Sequence, residues 1–185
     1  MHVFGNIRLI LGIDVHHTED IDEGRTPITW PEQMQHFWNA NAFGAMYLRA
    51  LRASESAYEL GAMRTTADWA LMEALEVATD TPAQIRRTEI YVPAASQWIL
   101  ICGHEIFDLS KKKHGYSGET VWRRRIGGSD GGQRLWTGAD GFSLERRKFW
   151  SKRFTEISAL KGKVAESATT SATEAAKMMA RIEDE

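Results

Sequence analysis

The feature that most constrains the fold is the helical spacing of apolar residues that runs from Thr29 to the end of the chain. In the last segment these residues alternate steps of three and four: Ala165, Ala168, Ala172, Ala175, Met179 and Ile182. Small residues let two helix backbones approach closely, so this heptad-like seam predicts a helix packed on a neighbour in the same chain. A dimer seam is the alternative. No segment after residue 28 shows sustained period-two alternation, which argues against strands.

Four further helices are predicted upstream. The first begins at the Thr-x-x-Glu capping box of Thr29–Glu32, followed by apolar positions at helical spacing: Met34, Phe37, Trp38, Met46, Tyr47, Ala50 and Leu51. The second covers 65–78, and residues 54–61 either join it or form a separate turn. The third runs from near Pro93 to about Lys112, because proline suits a first helical turn. The fourth is capped by Asp140 or Ser143 and carries an apolar stripe: Phe149, Trp150, Phe154, Ile157 and Leu160.

The predicted fold class is therefore all-α, a single-domain bundle of about five helices. We divide the chain into an atypical, flexible or loosely packed arm over 1–28 and a helical domain over 29–185. Within that domain, residues 113–141 are rich in glycine, arginine and serine, and they predict a long basic loop between helices three and four.

The class of protein is bounded by composition. A single cysteine excludes an internal disulfide, and no Asn-X-Ser/Thr acceptor occurs. The apolar start is interrupted by Arg8 and ended by Asp14, so it resembles neither a signal peptide nor a membrane span. We expect a cytoplasmic protein with no membrane association.

The one cysteine lies in Cys102-Gly103-His104-Glu105, which has the letters of a reactive site. With about 3.6 residues per turn, Cys102 and His104 point roughly 160° apart on a helix. We therefore predict a buried, inert thiol on the apolar face and a histidine on the polar face. The acidic pairs Glu73/Glu76 and Glu105/Asp108 are each spaced to share a helix face, which solvated faces explain equally well.

Histidines and acids also cluster near the start of the chain: Asp14, His16, His17, Glu19, Asp20, Asp22 and Glu23. Such side chains can ligate a divalent metal, but the stretch matches neither an HExxH helix nor an EF-hand loop. We interpret it as a solvated acidic arm and predict no metal site.

Charge is distributed unevenly along the chain. Residues 1–110 carry a net charge of −8 and residues 111–153 carry +8. The basic side chains stand near tryptophans: Lys111, Lys112, Lys113, Trp122, Arg123, Arg124, Arg125, Arg134, Trp136, Arg146, Arg147 and Lys148. They could bind a polyanion or a nucleic acid, or they could pair with the acidic half of the same fold. No nucleic-acid-binding signature occurs, so we disfavour the nucleic acid.

Catalytic motifs are missing from the sequence. It contains no Gly-x-Ser-x-Gly, phosphate loop, GxGxxG or spaced His/Cys set. We predict no catalytic, cofactor-binding or metal-ligating residue and no cofactor, and we favour a function that is not enzymatic.

Four stretches carry a resemblance: "WNANAFGA" (38–45), "WALMEALE" (69–76), "YVPAASQWILICGHEIFDL" (91–109) and "GFSLERRKFWSKRF" (141–154). Together the chain resembles, over roughly 30–182, a large fungal family of intracellular helical proteins catalogued only as a domain of unknown function. The resemblance implies an all-helical fold, with Trp98, Gly103, Phe149 and Trp150 as packing positions. Residues 1–28 depart from the pattern. Some members are encoded near secondary-metabolite genes.

Two functional hypotheses follow. The first is a non-catalytic protein-interaction module, monomeric or weakly homodimeric, because 7 tryptophans exceed what the core of one domain usually needs. The second is a small-molecule-binding or enzymatic accessory protein of a fungal secondary-metabolite pathway. A cavity lined by Trp and Met, with His36, His104 or Glu73 inside it, would favour the second hypothesis.

Overall fold

The computed structural model describes residues 30–51, 57–114 and 134–185. These residues form five α-helices: α1 (Trp30–Leu51), α2 (Ala57–Leu75), α3 (Pro82–Lys111), α4 (Leu144–Ser158) and α5 (Glu166–Asp184). No β-strand occurs in the described ranges. The predicted all-α class and the five helices are confirmed.

Helix α3 is the centre of the bundle and contacts each of the other four helices. Helices α1 and α2 pack on each other, as do α4 and α5. The largest fully buried side chains are Trp98 of α3 and Trp150 of α4. One continuous apolar core therefore runs through all five helices.

The small-residue seam of α5 packs within the chain, against α3 and α4. Its members are almost fully buried: Ala168, Ala172, Ala175, Met179 and Ile182. Ala165, the first residue of the predicted seam, is the N-cap of α5 and is exposed. The intramolecular reading of the seam is confirmed, so these five positions are already occupied by the chain itself.

The predicted start of the third helix is wrong. Helix α3 begins at Pro82, and Pro93 lies inside it. The start is fixed by a capping box in which the Gln84 amide donates to Thr81 Oγ1 (3.3 Å) and the Thr81 amide donates to Gln84 Oε1 (3.1 Å). Pro82 occupies the first turn, where its missing N–H removes no intrahelical bond.

The bounds of α2 differ from the prediction, and the structure decides between the two predicted caps of α4. Helix α2 begins at Ala57 and ends at Leu75, earlier at both ends than the predicted 65–78. Of the two candidate caps for α4, Ser143 is the one used, and its hydroxyl accepts from the Arg146 amide at 3.1 Å. Most of the predicted Gly-rich loop, 115–133, lies outside the described residues.

Candidate functional site

Cys102 and His104 face different sides of α3, as predicted. Cys102 is 1% exposed, and its thiol donates to the Trp98 carbonyl at 3.1 Å. Burial raises the pKa of this thiol far above its usual range, which disfavours the nucleophilic thiolate. The His104 side chain is more than half exposed and lies 3.7 Å from Glu185. The pair cannot act as a nucleophile and its base.

The backbone of α3 is kinked at this cysteine. Cys102 has φ −130° and ψ 34°, outside the helical region. Side chains satisfy carbonyls around the kink: the cysteine thiol binds Trp98, and Arg49 of α1 donates to the Ile101 carbonyl at 3.3 Å. The kink does not turn His104 inward, so the orientation argument holds even though the helix is not ideal.

Two arginines of the basic region, Arg146 and Arg147, are turned into the protein. Arg146 and Arg147 are 0% and 1% exposed. Arg147 forms an ion pair with Glu183, donates to the Met179 carbonyl at 2.9 Å, and lies over the ring of Phe107. Burial lowers the pKa of Arg147 despite the nearby Glu183. Its partners come from α3 and α5, so it joins helices rather than facing a ligand.

Arg146 lies at the centre of a buried ionic cluster built on Glu76. Its Nε donates to Glu76 Oε1 at 2.6 Å, and its Nη1 donates to Asp68 Oδ1 at 2.6 Å. Trp150 Nε1 donates to the same Glu76 oxygen at 2.8 Å, and Arg134 pairs with the other one. The Glu76 carboxylate is thus held by three donors from the 134–150 region.

The same cluster extends outward through Asp140, which accepts from Arg134 Nη1 at 2.7 Å. Two arginines therefore meet three carboxylates, a balance that disfavours binding of an anion there. The Nη2 atoms of Arg134 and Arg146 are buried and meet no acceptor among the described residues. Glu76 is 0% exposed, so it has no surface to offer a substrate.

Asp68 is a carboxyl group of this cluster whose pKa is shifted. Burial raises its pKa to about 6, although Arg146 acts in the opposite direction; Glu76 adds to the rise. A carboxyl group in that range can serve in proton transfer. Asp68 does not line the groove described below, so it is not placed against a binding site.

Helix α4 uses one stripe to cover the end of α2. Arg146, Trp150 and Arg153 are spaced at i, i+4 and i+7, and all three bind α2 or the residues just after it. Arg153 donates to the carbonyls of Leu75 and Val77, each at 3.1 Å. Because the last carbonyls of a helix lack intrahelical partners, this stripe acts as a side-chain cap.

The acidic pairs of the sequence separate into two environments. Glu73 and Glu76 are 6% and 0% exposed; Glu73 pairs with Arg87 of α3. Asp108 is half-buried and pairs with Lys111 at 2.9 Å. Sequence analysis did not find the burial of the first pair. The signal was present, because both glutamates stand in an otherwise apolar stretch, residues 69–77.

The five tryptophans with described side chains are all buried or half-buried: Trp38, Trp69, Trp98, Trp136 and Trp150. The indole of Trp136 donates to the Ala139 carbonyl at 2.9 Å and lies against Phe149. The argument that surplus tryptophans form a partner surface therefore fails for these five. Trp30 and Trp122 lie outside the described side chains.

Among the described residues, three large apolar side chains are exposed: Phe43 and Met46, both on α1, and Leu135. Phe43 is 53% exposed and Met46 is 48% exposed. The ring of Phe43 stacks on Tyr47 at 6.2 Å with an interplanar angle of 9°. Ala50, one turn beyond Met46, is also exposed. We call Phe43, Met46 and Ala50 the α1 apolar face; Met46 and Ala50 are among the apolar positions at helical spacing in the sequence.

A groove lies between α1, α3 and the start of α5, beside the polar residues Gln35 and Asn39 of α1. Its volume is about 440 Å³, and it is lined by Gln35, Trp38, Asn39, Ala42, Pro93, Gln97, Glu166, Ser167, Thr170 and Ser171. None of the three residues expected in a catalytic cavity lines it: His36, His104 and Glu73. It is lined by a tryptophan but by no methionine.

No metal site is found in the part of the chain that the structure describes: it holds no group of three or more His, Cys, Asp or Glu side chains suited to an ion. The acidic cluster of residues 14–23 and the arginines 123–125 fall outside that part. Of the helices described, none is both long and apolar enough to cross a membrane.

These features define, over the described residues, an all-α bundle in which the Cys102 thiol is buried and Glu73 and Glu76 are buried and ion-paired. The chain belongs to the protein family of unknown function DUF3632, whose model matches residues 10–154. That range begins earlier than the expected 30–182, so residues 10–28 fall within the family match, and it ends in α4, before α5. Comparison with curated proteins and with solved structures found no match.

Proposed function

We propose that this chain is a non-catalytic protein-interaction module that binds its partner through the α1 apolar face. The observation that carries the proposal is the exposure of Phe43 and Met46 on neighbouring turns of one helix. Large apolar side chains exposed side by side are typical of contact surfaces.

The energy available at this face is appreciable. Full burial of one Phe or Met side chain contributes about 1.5–3 kcal/mol. Because about half of each side chain is exposed, burying both exposed halves in a complex contributes about the same as one full burial, roughly 1.5–3 kcal/mol. Phe43 is also held in place by its stack on Tyr47. A side chain fixed before binding loses less conformational entropy in a complex.

The chemistry of the described residues favours binding over catalysis. The thiol of Cys102 is buried, Glu76 is closed off by three donors, and His104 stands on the surface with Glu185 as its neighbour. None of these groups meets another as a nucleophile with its base.

Site-specific photo-crosslinking tests the proposal. A photoreactive residue replaces Phe43, and in a matched control it replaces His36, an exposed position two turns earlier on α1. In cells expressing the chain, position 43 should give a discrete adduct and position 36 should not. Excess wild-type chain should suppress that adduct, whereas the Phe43→Glu, Met46→Glu double variant should not.

The adduct mass separates the kinds of partner. A mass of two chains identifies a homodimer, and another discrete mass identifies a different protein; both support the proposal. No adduct at position 43, or the same pattern at positions 43 and 36, contradicts it.

A second candidate function is small-molecule binding, favoured by the groove between α1, α3 and α5. Polyanion binding has less support, because Arg134, Arg146 and Arg147 are engaged inside the protein. The fungal source, the cytoplasmic location, the secondary-metabolite role and the domain division at residue 28 remain predictions.

A further inference from the structure

We infer that the groove between α1, α3 and α5 binds a neutral polyhydroxylated ligand of the size of a mono- or disaccharide. The inference rests on the second candidate function and is independent of the α1 apolar face. The volume of about 440 Å³ falls in the range of small-molecule sites.

The polar lining consists mainly of uncharged groups that both donate and accept hydrogen bonds. Three carry amides (Gln35, Asn39 and Gln97) and three carry hydroxyls (Ser167, Thr170 and Ser171). Ligand hydroxyls also donate and accept, so they match such a lining group for group. Gln35 Nε2 already donates to Asn39 Oδ1 at 2.8 Å, which orients this amide pair before a ligand arrives.

One wall of the groove is apolar. Trp38 Nε1 donates to the Ile90 carbonyl at 2.9 Å, so the only polar atom of this indole is engaged by α3. What Trp38 offers the groove is carbon surface, continued by Ala42 and Pro93. A sugar ring has C–H faces that pack on such a surface while its hydroxyls reach the polar wall.

The charge of the groove argues for a neutral ligand. Among the lining residues only Glu166 is charged, and its carboxylate repels anions. The other polar groups of the lining, amides and hydroxyls, are uncharged, so apart from this one carboxylate the groove offers nothing specific to a charged ligand.

The walls are held together by a contact outside the lining. Glu89 of α3 accepts from the Ala165 amide at 2.8 Å, which fixes the start of α5 against α3. The distance between the polar wall of α5 and the apolar wall of α1 and α3 is therefore set by the fold.

Saturation-transfer NMR tests the inference with glucose, galactose, mannose, N-acetylglucosamine, maltose and cellobiose, each added alone. At least one should receive saturation from the wild-type protein. The Thr170→Tyr variant should abolish that signal by filling the groove from an exposed helical position. Thr155→Tyr, at an exposed position on α4 outside the groove, should retain it.

Two results would overturn the inference: no saturation transfer to any of the six sugars, or a signal that Thr170→Tyr leaves unchanged. The uncharged apolar dye Nile red separates the two levels of the proposal. If the dye binds and Thr170→Tyr removes its binding, but no sugar binds, the ligand class is rejected and the groove remains a binding site. If neither a sugar nor the dye binds, both the ligand class and the groove as a binding site are rejected. The photo-crosslinking experiment at position 43 tests the α1 apolar face, so loss of that adduct bears neither on the ligand class nor on the groove.

Discussion

Arg146 and Glu76 are 70 residues apart in sequence, both are fully buried, and the guanidinium Nε lies 2.6 Å from the carboxylate Oε1. The contact joins the basic stretch of the chain to its acidic half. Burial of two charges costs several kcal/mol per ion, and it is offset only where further hydrogen bonds complete the pair. Trp150, Asp68 and Gly141 supply most of those bonds, and only Nη2 of Arg146 meets no acceptor among the described residues.

The cluster predicts an unusual pH dependence. Because burial raises the pKa of Asp68 from 3.8 to about 6, its protonated form is favoured in the folded state. Its contribution to stability is therefore complete below about pH 4 and is lost as the pH rises through about 6. We expect the free energy of unfolding of the wild type, minus that of Asp68→Asn, to fall by roughly 2–3 kcal/mol between those limits.

Urea denaturation of both proteins across that pH range provides the measurement. The difference between the two cancels the titration of the other carboxylates. A difference that stays constant, or grows as pH rises, would mean that Arg146 rather than burial governs the Asp68 carboxyl.

The thiol should be inert in the folded protein. Cys102 is 1% exposed, and burial raises its pKa, so thiolate is scarce and sheltered. Native protein should react with Ellman's reagent orders of magnitude more slowly than protein unfolded in guanidinium. Rapid stoichiometric labelling of the native chain would contradict the burial of Cys102.

Three glycines in helices should respond differently to alanine. A Cβ at Gly44 would lie 2.9 Å from the ring of Trp98, which is held by a 2.8 Å bond to Asn41 and cannot easily move. A Cβ at Gly103 would lie 2.7 Å from Cδ1 at the flexible end of Ile182, and at 3.9 Å, an ordinary contact distance, from Ile99 and Met178. At Gly61 it would meet nothing within 4 Å.

Gly61→Ala should therefore stabilise the protein by about 0.5–1 kcal/mol through helix propensity. Gly44→Ala should destabilise it by about 1–2 kcal/mol, since overpacking outweighs that gain. The change in the free energy of unfolding caused by Gly103→Ala should lie between those of Gly61→Ala and Gly44→Ala. Thermal and urea unfolding give the order, and a Gly44→Ala protein as stable as Gly61→Ala would show that Trp98 is free to shift.

Apolar periodicity predicted much of the fold. It gave the all-α class, the burial of the α5 seam, and the opposed orientations of Cys102 and His104, because these depend on residues a few positions apart. The start of α3 differs from the prediction because Pro93 lies inside the helix, and the capping box of Thr81 and Gln84 decides the boundary.

The buried ionic cluster was beyond reach of local patterns. Two glutamates three residues apart fit a solvated helix face as well as a buried one. Only their partners distinguish these cases, and Glu76 finds Arg134 and Arg146 across most of the chain. The charge asymmetry indicated that such pairing was available, but not which residues form it.

Arg134, Arg146 and Arg147 of the basic stretch are engaged inside the protein, and the Arg146–Glu76 pair is the centre of that arrangement. A double-mutant cycle of Glu76→Gln and Arg146→Met, measured by urea denaturation, tests this most directly. Each single variant should cost about 3–5 kcal/mol, and the double variant should be more stable than additivity allows by at least about 1.5 kcal/mol. Additivity within about 0.5 kcal/mol would show that the two charges do not depend on each other, and would contradict the account.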